Sequence, residues 1–157
     1  KGIRLRICSQ KLGINPALAG LKTLNRLENV LARAEWDDAE THEGLLSDHA
    51  GKLVSGTMSN VFLARNNTLY TPDLSGCGVA GIMRGLIIEH CTEQAIPLDI
   101  CALSPKDARQ ADEIFVCNSN IGIWPVAELA TERFAIGPIT QQLMAAVCAS
   151  GVAECAP

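Results

Sequence analysis

Leu18-Ala19-Gly20-Leu21-Lys22-Thr23-Leu24-Asn25-Arg26-Leu27-Glu28 is the stretch on which the reading of this chain turns. A lysine follows Pro16 and Gly20 and stands where an amphipathic pattern begins. Leu24, Leu27, Val30, Leu31 and Ala34 recur at 3/4 spacing, which predicts a helix over about 23–34 with those residues on one face. Taken alone, Lys22 is a solvated helix-entry lysine, because lysines are rarely buried. A nucleophilic lysine needs an amine kept unprotonated by desolvation or by neighbouring cations. Leu21, Leu24 and Arg26 are compatible with that environment but do not establish it.

Upstream, Ile3 to Cys8 alternates as a strand does, and Ser9 to Gly20 reads as a loop. Downstream comes a β-rich block. Glu43–Ser47 and Lys52–Ser55 read as strands around an Asp48-His49-Ala50-Gly51 turn. Asn60–Arg65 and Thr68–Thr71 read as a hairpin around Asn66-Asn67. Ser75-Gly76-Cys77-Gly78-Val79-Ala80-Gly81 is a glycine-rich loop running into a helix that ends near Gln94. Ile96–Leu103 reads as a strand, and Ser104-Pro105 as the cap and first position of a short helix. Glu113–Cys117 is a buried strand, Ile123–Val126 is extended, and Gly137-Pro138 opens a last helix to about Ala149. The pattern predicts one α/β (α+β mixed) domain over residues 1–157.

Composition narrows the function classes. A chain of 157 residues is long enough for one real core, and 48% apolar with 19% charged residues marks it as globular. A net charge of −4 leaves no basic surface for nucleic acid or an anionic membrane, so neither is an expected partner. No apolar run approaches the length of a membrane span. The seven cysteines (Cys8, Cys77, Cys91, Cys101, Cys117, Cys148 and Cys155) form no C-x-x-C pair. They read as free, mostly buried thiols in a reducing cytosol. His42, His49 and His90 lack ligand spacing, so no metal site is expected.

The glycine-rich loop is the second chemical signal. Glycines before a helix let backbone N–H groups point at an anion, where the helix dipole favours negative charge. The loop lacks the lysine of a nucleoside-triphosphate loop, and its spacing departs from a dinucleotide fingerprint. By itself it is equally an ordinary loop and helix start.

Four segments together carry a resemblance. The stretch around Lys22 resembles the cofactor-lysine segment of aminodeoxychorismate lyases. Ser59-Asn60-Val61-Phe62 resembles that family's Asn-Ile/Leu-Phe strand. Tyr70-Thr71-Pro72 with Gly78-Val79-Ala80-Gly81-Ile82-Met83-Arg84 resembles its phosphate cup. Ala111-Asp112-Glu113-Ile114-Phe115-Val116-Cys117-Asn118 with Pro125-Val126 resembles its last cofactor loop. They follow in the family's order, and the resemblance covers nearly the whole chain. It implies the C-terminal large domain of the fold-type IV pyridoxal-phosphate enzymes, a mixed, barrel-like sheet flanked by helices.

The resemblance also implies roles. Lys22 would be the Schiff-base lysine and general base of a lyase that converts 4-amino-4-deoxychorismate to 4-aminobenzoate and pyruvate. Pyridoxal 5'-phosphate would be held by backbone N–H groups of Ile82 and Met83 and by Ser119. Val79 would pack on its ring, and Asn118 would lie close enough for a contact. Ser55 stands where the family carries a glutamate against the pyridine nitrogen. A hydroxyl there makes a weaker electron sink than a carboxylate, which disfavours transamination more than an elimination driven by aromatisation. The alternative is that Ser55 only caps a turn.

Family members are homodimers and carry a smaller N-terminal domain, on the order of a hundred residues, that completes the site. The sequence begins at Lys1 in strand-like residues and not in a leader, so that domain is expected to be absent from this chain. Two further readings stay open. One is a D-amino-acid or branched-chain aminotransferase of the same fold, and the other is a cofactor-incompetent structural or dimerisation module.

Overall fold

The computed structural model describes residues 1–151, and Cys155 lies outside the described residues. Nine strands form one mixed sheet: β1 (Ile3–Leu12), β2 (Thr41–Asp48), β3 (Leu53–Gly56), β4 (Asn60–Arg65), β5 (Thr68–Pro72), β6 (Leu98–Cys101), β7 (Glu113–Asn118), β8 (Gly122–Leu129) and β9 (Glu132–Arg133). The helices are α1 (Leu27–Arg33), α2 (Ile82–Glu93), α3 (Pro105–Arg109) and α4 (Pro138–Ala149). The strand order is β3-β2-β1-β8-β7-β4-β5-β6, with β9 paired to β8. β1 runs parallel to both β2 and β8, β5 runs parallel to β6, and the remaining pairs are antiparallel.

The sheet curls until its two ends meet. Leu53, in the strand at one end, donates its N–H at 2.8 Å to the carbonyl of Leu103, just past the strand at the other. Period-2 alternation then sorts side chains between two cores. Leu5, Leu45, Leu53, Val61, Leu63 and Val116 fill the inside of the curl. On β4 and β7 the intervening Phe62, Ala64, Phe115 and Cys117 face outward against Ile87 of α2 and Leu143 of α4. This explains why β4 reads Val-Phe-Leu-Ala without polar interruption: both of its faces are buried. The rings of Phe62 and Phe115 stack with centroids 4.9 Å apart.

Local signals produced several elements as expected. Asn66 and Asn67 take φ of 50° and 61°, the left-handed pair that a two-residue hairpin turn demands. At α3, Ser104 and Asp107 form a reciprocal capping box, with the Ser104 N–H 2.8 Å from Asp107 Oδ2. α4 starts at Pro138 and ends at Ala149. The fold class is therefore the mixed, barrel-like sheet with flanking helices.

The helix after Lys22 differs from expectation. α1 starts only at Leu27, so Lys22 to Asn25 are irregular and Lys22 does not stand at a helix start. The predicted apolar face does not pack inward either. Leu24 is fully exposed, Leu27, Val30 and Leu31 are each about half exposed or more, and Ala32 is the buried residue of this helix. Periodicity states which residues share a face; it does not state which face the core takes. β1 is also longer than expected, reaching Leu12, and β9 carried no recognisable pattern. No helix among the described residues is long and apolar enough to cross a membrane.

Candidate active site

Two loops meet at the mouth of the sheet because of Gly20. Its N–H donates to the Gly78 carbonyl at 3.0 Å, and its carbonyl accepts from the Ala80 N–H at 3.0 Å. Gly20 and Gly78 have φ of +80° and +91°, which L side chains rarely adopt. A Cβ on Gly78 would also lie 2.7 Å from Val54 Cγ1. Lys22, two residues past this bridge, is thereby tied to the glycine-rich loop.

That loop is held open by Asn60. Its Nδ2 donates to the Val79 carbonyl at 2.8 Å, and its Oδ1 accepts from the Gly81 N–H at 3.2 Å. The chain then enters α2 with no capping side chain and no acidic residue in the first turn. Among the described residues nothing accepts from the N–H groups of Ile82 and Met83, and the first intrahelical bond runs from Gly85 to Gly81. α4 is the informative contrast. There the Glu113 carboxylate accepts from the N–H groups of Ile139 at 3.2 Å and Thr140 at 2.8 Å, so an internal anion saturates that helix terminus. The α2 terminus has no such internal anion among the described residues, and a helix terminus with free donors is suited to binding one.

Lys22, Ser55, Val79, Ile82, Asn118 and Ser119 all line one open cavity of about 1060 Å³. Met83, the seventh expected residue, turns its side chain into the core beside Ile87 and Leu143, so only its backbone N–H faces the loop side. Lys22 and Ser119 are exposed, Val79 and Asn118 half-buried. Ser55 is buried, and its hydroxyl donates to the Gly56 carbonyl at 2.8 Å. Asn118 acts on its own surroundings: Nδ2 donates to the Met58 carbonyl at 3.0 Å, and Oδ1 accepts from the N–H groups of Asn120 and Ile121. These bonds brace the wall on which Ser119 sits, and Asn118 itself lines the cavity.

Two buried residues behind this site, Glu43 and Arg84, were given no role of their own by sequence. Glu43 is 1% exposed, and its carboxylate accepts from the N–H groups of Gly44, Thr57 and Met58 and from the hydroxyls of Thr57 and Ser59. It holds the loop after Ser55 from behind. Arg84, in the first turn of α2, is buried and donates to Thr71 Oγ1 at 3.2 Å and to the Pro72 carbonyl at 2.9 Å. Burial pushes its pKa down, against the opposing pull of Cys117 and Asp73. Arg26 lies in the cavity wall beside Lys22. A buried Glu in an apolar strand was the one available signal, and it is legible only once the strand is known to be covered on both faces. The thiol of Cys77, also in the wall, is pushed up by burial and by the charges of Asp48 and Glu28, so it stays protonated.

The arrangement offers an exposed lysine amine, a helix terminus with free donors, and a buried hydroxyl, all around one cavity. It suits a small molecule that carries a phosphate and an aldehyde. The sequence model of the family described as Amino-transferase class IV matches residues 2–129. The chain is 34% identical over 147 residues to the aminodeoxychorismate lyase of Vibrio harveyi, covering 91% of this chain and 54% of that protein. It is 28% identical over 139 residues to the D-alanine aminotransferase of Bacillus licheniformis, covering 87% of this chain and 49% of the other. The crystal structure of 4-amino-4-deoxychorismate lyase from Pseudomonas aeruginosa superposes with a TM-score of 0.93 at 44% identity, over 96% of this chain and 56% of that one. The chain thus spans about half the length of the relatives it matches. Class IV aminotransferases and aminodeoxychorismate lyases are pyridoxal-phosphate enzymes, and the cavity residues fit that cofactor's phosphate and aldehyde. The chain belongs to the class IV aminotransferase family.

Proposed function

We propose that this chain is the larger, cofactor-bearing domain of a lyase that splits 4-amino-4-deoxychorismate into 4-aminobenzoate and pyruvate. The observation that carries the reading is the Gly20 bridge, which sets the Lys22 segment against a helix terminus whose donors have no internal anion among the described residues. Similarity to the lyases of Vibrio harveyi and Pseudomonas aeruginosa supports the substrate.

In this reading the N–H groups of Ile82 and Met83 would hold the cofactor phosphate, with the exposed Ser119 hydroxyl in the same cavity as a further donor. Val79 supports one ring face. Bound through its aldehyde, pyridoxal phosphate supplies an electron sink for the substrate's amino carbon. Lys22 would hold that aldehyde, and its amine, when free, would take the proton from ring C4 of the substrate. Loss of that proton would break the neighbouring ring carbon–oxygen bond; the electron pair would leave with enolpyruvate, which gains a proton on its methylene carbon to give pyruvate, and the ring would become aromatic. Positioning the base at one C–H bond is the protein's main task, since aromatisation supplies driving force.

Ser55 favours this outcome over transamination. Its hydroxyl donates its single hydrogen to Gly56, so it offers the ring nitrogen no charge. The exposed face of Leu24, Leu27, Val30 and Leu31 is where a smaller N-terminal domain or a second subunit of a homodimer would sit. Free thiols suit a cytosolic enzyme.

The test is chemical. Pyridoxal phosphate followed by borohydride should leave a phosphopyridoxyl group on Lys22 in the full-length protein, found by peptide mapping. The reaction class is read by product on separate, unreduced protein loaded with the cofactor: 4-aminobenzoate from 4-amino-4-deoxychorismate, against amino-donor turnover with a 2-oxo acid. Ser55→Glu should raise amino-donor turnover relative to the lyase rate. Absence of label on Lys22 would overturn the reading, and label without 4-aminobenzoate would replace the lyase by an aminotransferase.

A further inference from the structure

Between Gly20 and α1 the chain crosses the cavity mouth almost unsupported. Lys22 to Asn25 make no backbone–backbone hydrogen bond among the described residues, and Leu24 in their midst is fully exposed. Among the described residues one side chain hydrogen-bonds to this span. Arg26 folds back along it, donating from Nε to the Thr23 carbonyl at 3.2 Å and from a terminal nitrogen to the Leu21 carbonyl at 2.9 Å. Those two carbonyls flank Lys22 on either side.

Arg26 is itself anchored by its place at the head of α1. Its carbonyl accepts from the Val30 N–H at 3.0 Å. The first turn of that helix is pinned to both walls of the cavity. Glu28 Oε1 accepts from the Gly13 N–H at 2.9 Å, and Asn29 Nδ2 donates to the Thr57 carbonyl at 2.9 Å. Arg26 is only half-buried and makes no salt bridge among the described residues, so neither core packing nor an ion pair within them accounts for its geometry. The rigid, planar fork of a guanidinium is suited to gripping two carbonyls at once, which the point charge of an ammonium is not.

We infer that Arg26 is the positioning residue for Lys22, acting through the carbonyl oxygens of Leu21 and Thr23. It lowers the conformational freedom of the span from Lys22 to Asn25, which the Gly20 bridge ties down only at its start, and so holds the amine at one place over the cavity. The inference rests on Lys22 being the cofactor lysine. It goes further by naming the group that aims it.

The experiment uses the full-length protein with Arg26→Gln and Arg26→Lys. Timed borohydride trapping with pyridoxal phosphate gives the rate of label on Lys22, tryptic cleavage after Lys22 gives the order of the loop without cofactor, and thermal midpoints report the fold. Arg26→Gln should label about tenfold more slowly or worse, by the usual cost of a misplaced reacting group. It should be cut after Lys22 faster than the parent, at an unchanged thermal midpoint. Arg26→Lys should recover part of both, since an ammonium can hold one carbonyl. Parental labelling and cleavage rates in Arg26→Gln overturn the inference alone. So does slow labelling accompanied by a lowered midpoint and no recovery in Arg26→Lys, which marks a merely structural arginine. A parent that takes no label on Lys22 overturns the cofactor reading, and this inference with it.

Discussion

Asn60 and Gly81 approach so closely that a Cβ on Gly81 would lie 2.4 Å from Asn60 Oδ1. The amide of Asn60 uses both ends on this loop, one on Val79 and one on Gly81. Gly81→Ala must push Asn60 aside, and the loop then loses two bonds together. The expected cost is about 1–3 kcal/mol of stability, the usual range for overpacking. Pyridoxal phosphate affinity should fall at least about tenfold, as loss of about 1.4 kcal/mol of binding requires. Urea unfolding and an absorbance titration with the cofactor check the two effects. Full affinity in Gly81→Ala would show that this loop does not shape the cofactor site.

Glu43 is surrounded by donors. Three N–H groups and two hydroxyls converge on its carboxylate, and a Cβ on Gly56 would lie 2.7 Å from its Oε2. Glu43→Gln keeps the size but turns one acceptor into a donor facing other donors. The expected destabilisation is about 2–4 kcal/mol, as for a buried charged hydrogen-bond partner removed from its network. The loop that follows Ser55 should loosen with it. Denaturant unfolding gives the first quantity, and amide exchange at Thr57 and Met58 gives the second. An unchanged midpoint in Glu43→Gln would contradict this account.

Acid should weaken the fold partly through Asp107. The Ser104 hydroxyl and N–H hold its carboxyl below the ordinary value of 3.8, with burial opposing and Arg65 assisting. A carboxyl with a folded pKa below its unfolded pKa stabilises the native state most when both states are ionised. That contribution is complete above 3.8 and drains away as pH falls through the folded value. Asp107→Asn should therefore lower the thermal midpoint at neutral pH and flatten its decline on acidification. Thermal scans from pH 7 downward read this directly; a slope identical to the parent's would remove Asp107 from the explanation.

Much of the local structure was legible because it depends on local chemistry. The Asn66-Asn67 turn, the Ser104-Pro105 cap, the start of α4 at Pro138 and the uninterrupted apolar run of β4 each follow from neighbours in sequence. Resemblance at Lys22, Asn60, Gly78–Arg84 and Asn118 identified the family, and six of the seven expected site residues line one cavity. The extent of α1 was not legible. A 3.6-residue period fixes which side chains share a face, but Leu24, Leu27, Val30 and Leu31 lie outside because no part of the described chain covers them.

The sequence by itself determined the strands and most of the helices, through turn chemistry, capping and alternation, and it marked the lysine and the glycine-rich loop as the chemical features. Only the tertiary structure decided how those features meet. The Gly20 bridge, the contrast between the α2 and α4 termini, the grip of Glu43 on the loop after Ser55 and the fold-back of Arg26 onto Leu21 and Thr23 are hydrogen bonds set by spatial closure. Glu113 and Asn60 each accept from donors more than eighteen residues away, and Asn118 donates to Met58 where β7 ends beside the start of β4. A residue's type states what it can donate or accept; which partner it finds is settled when the sheet curls and brings its edges together.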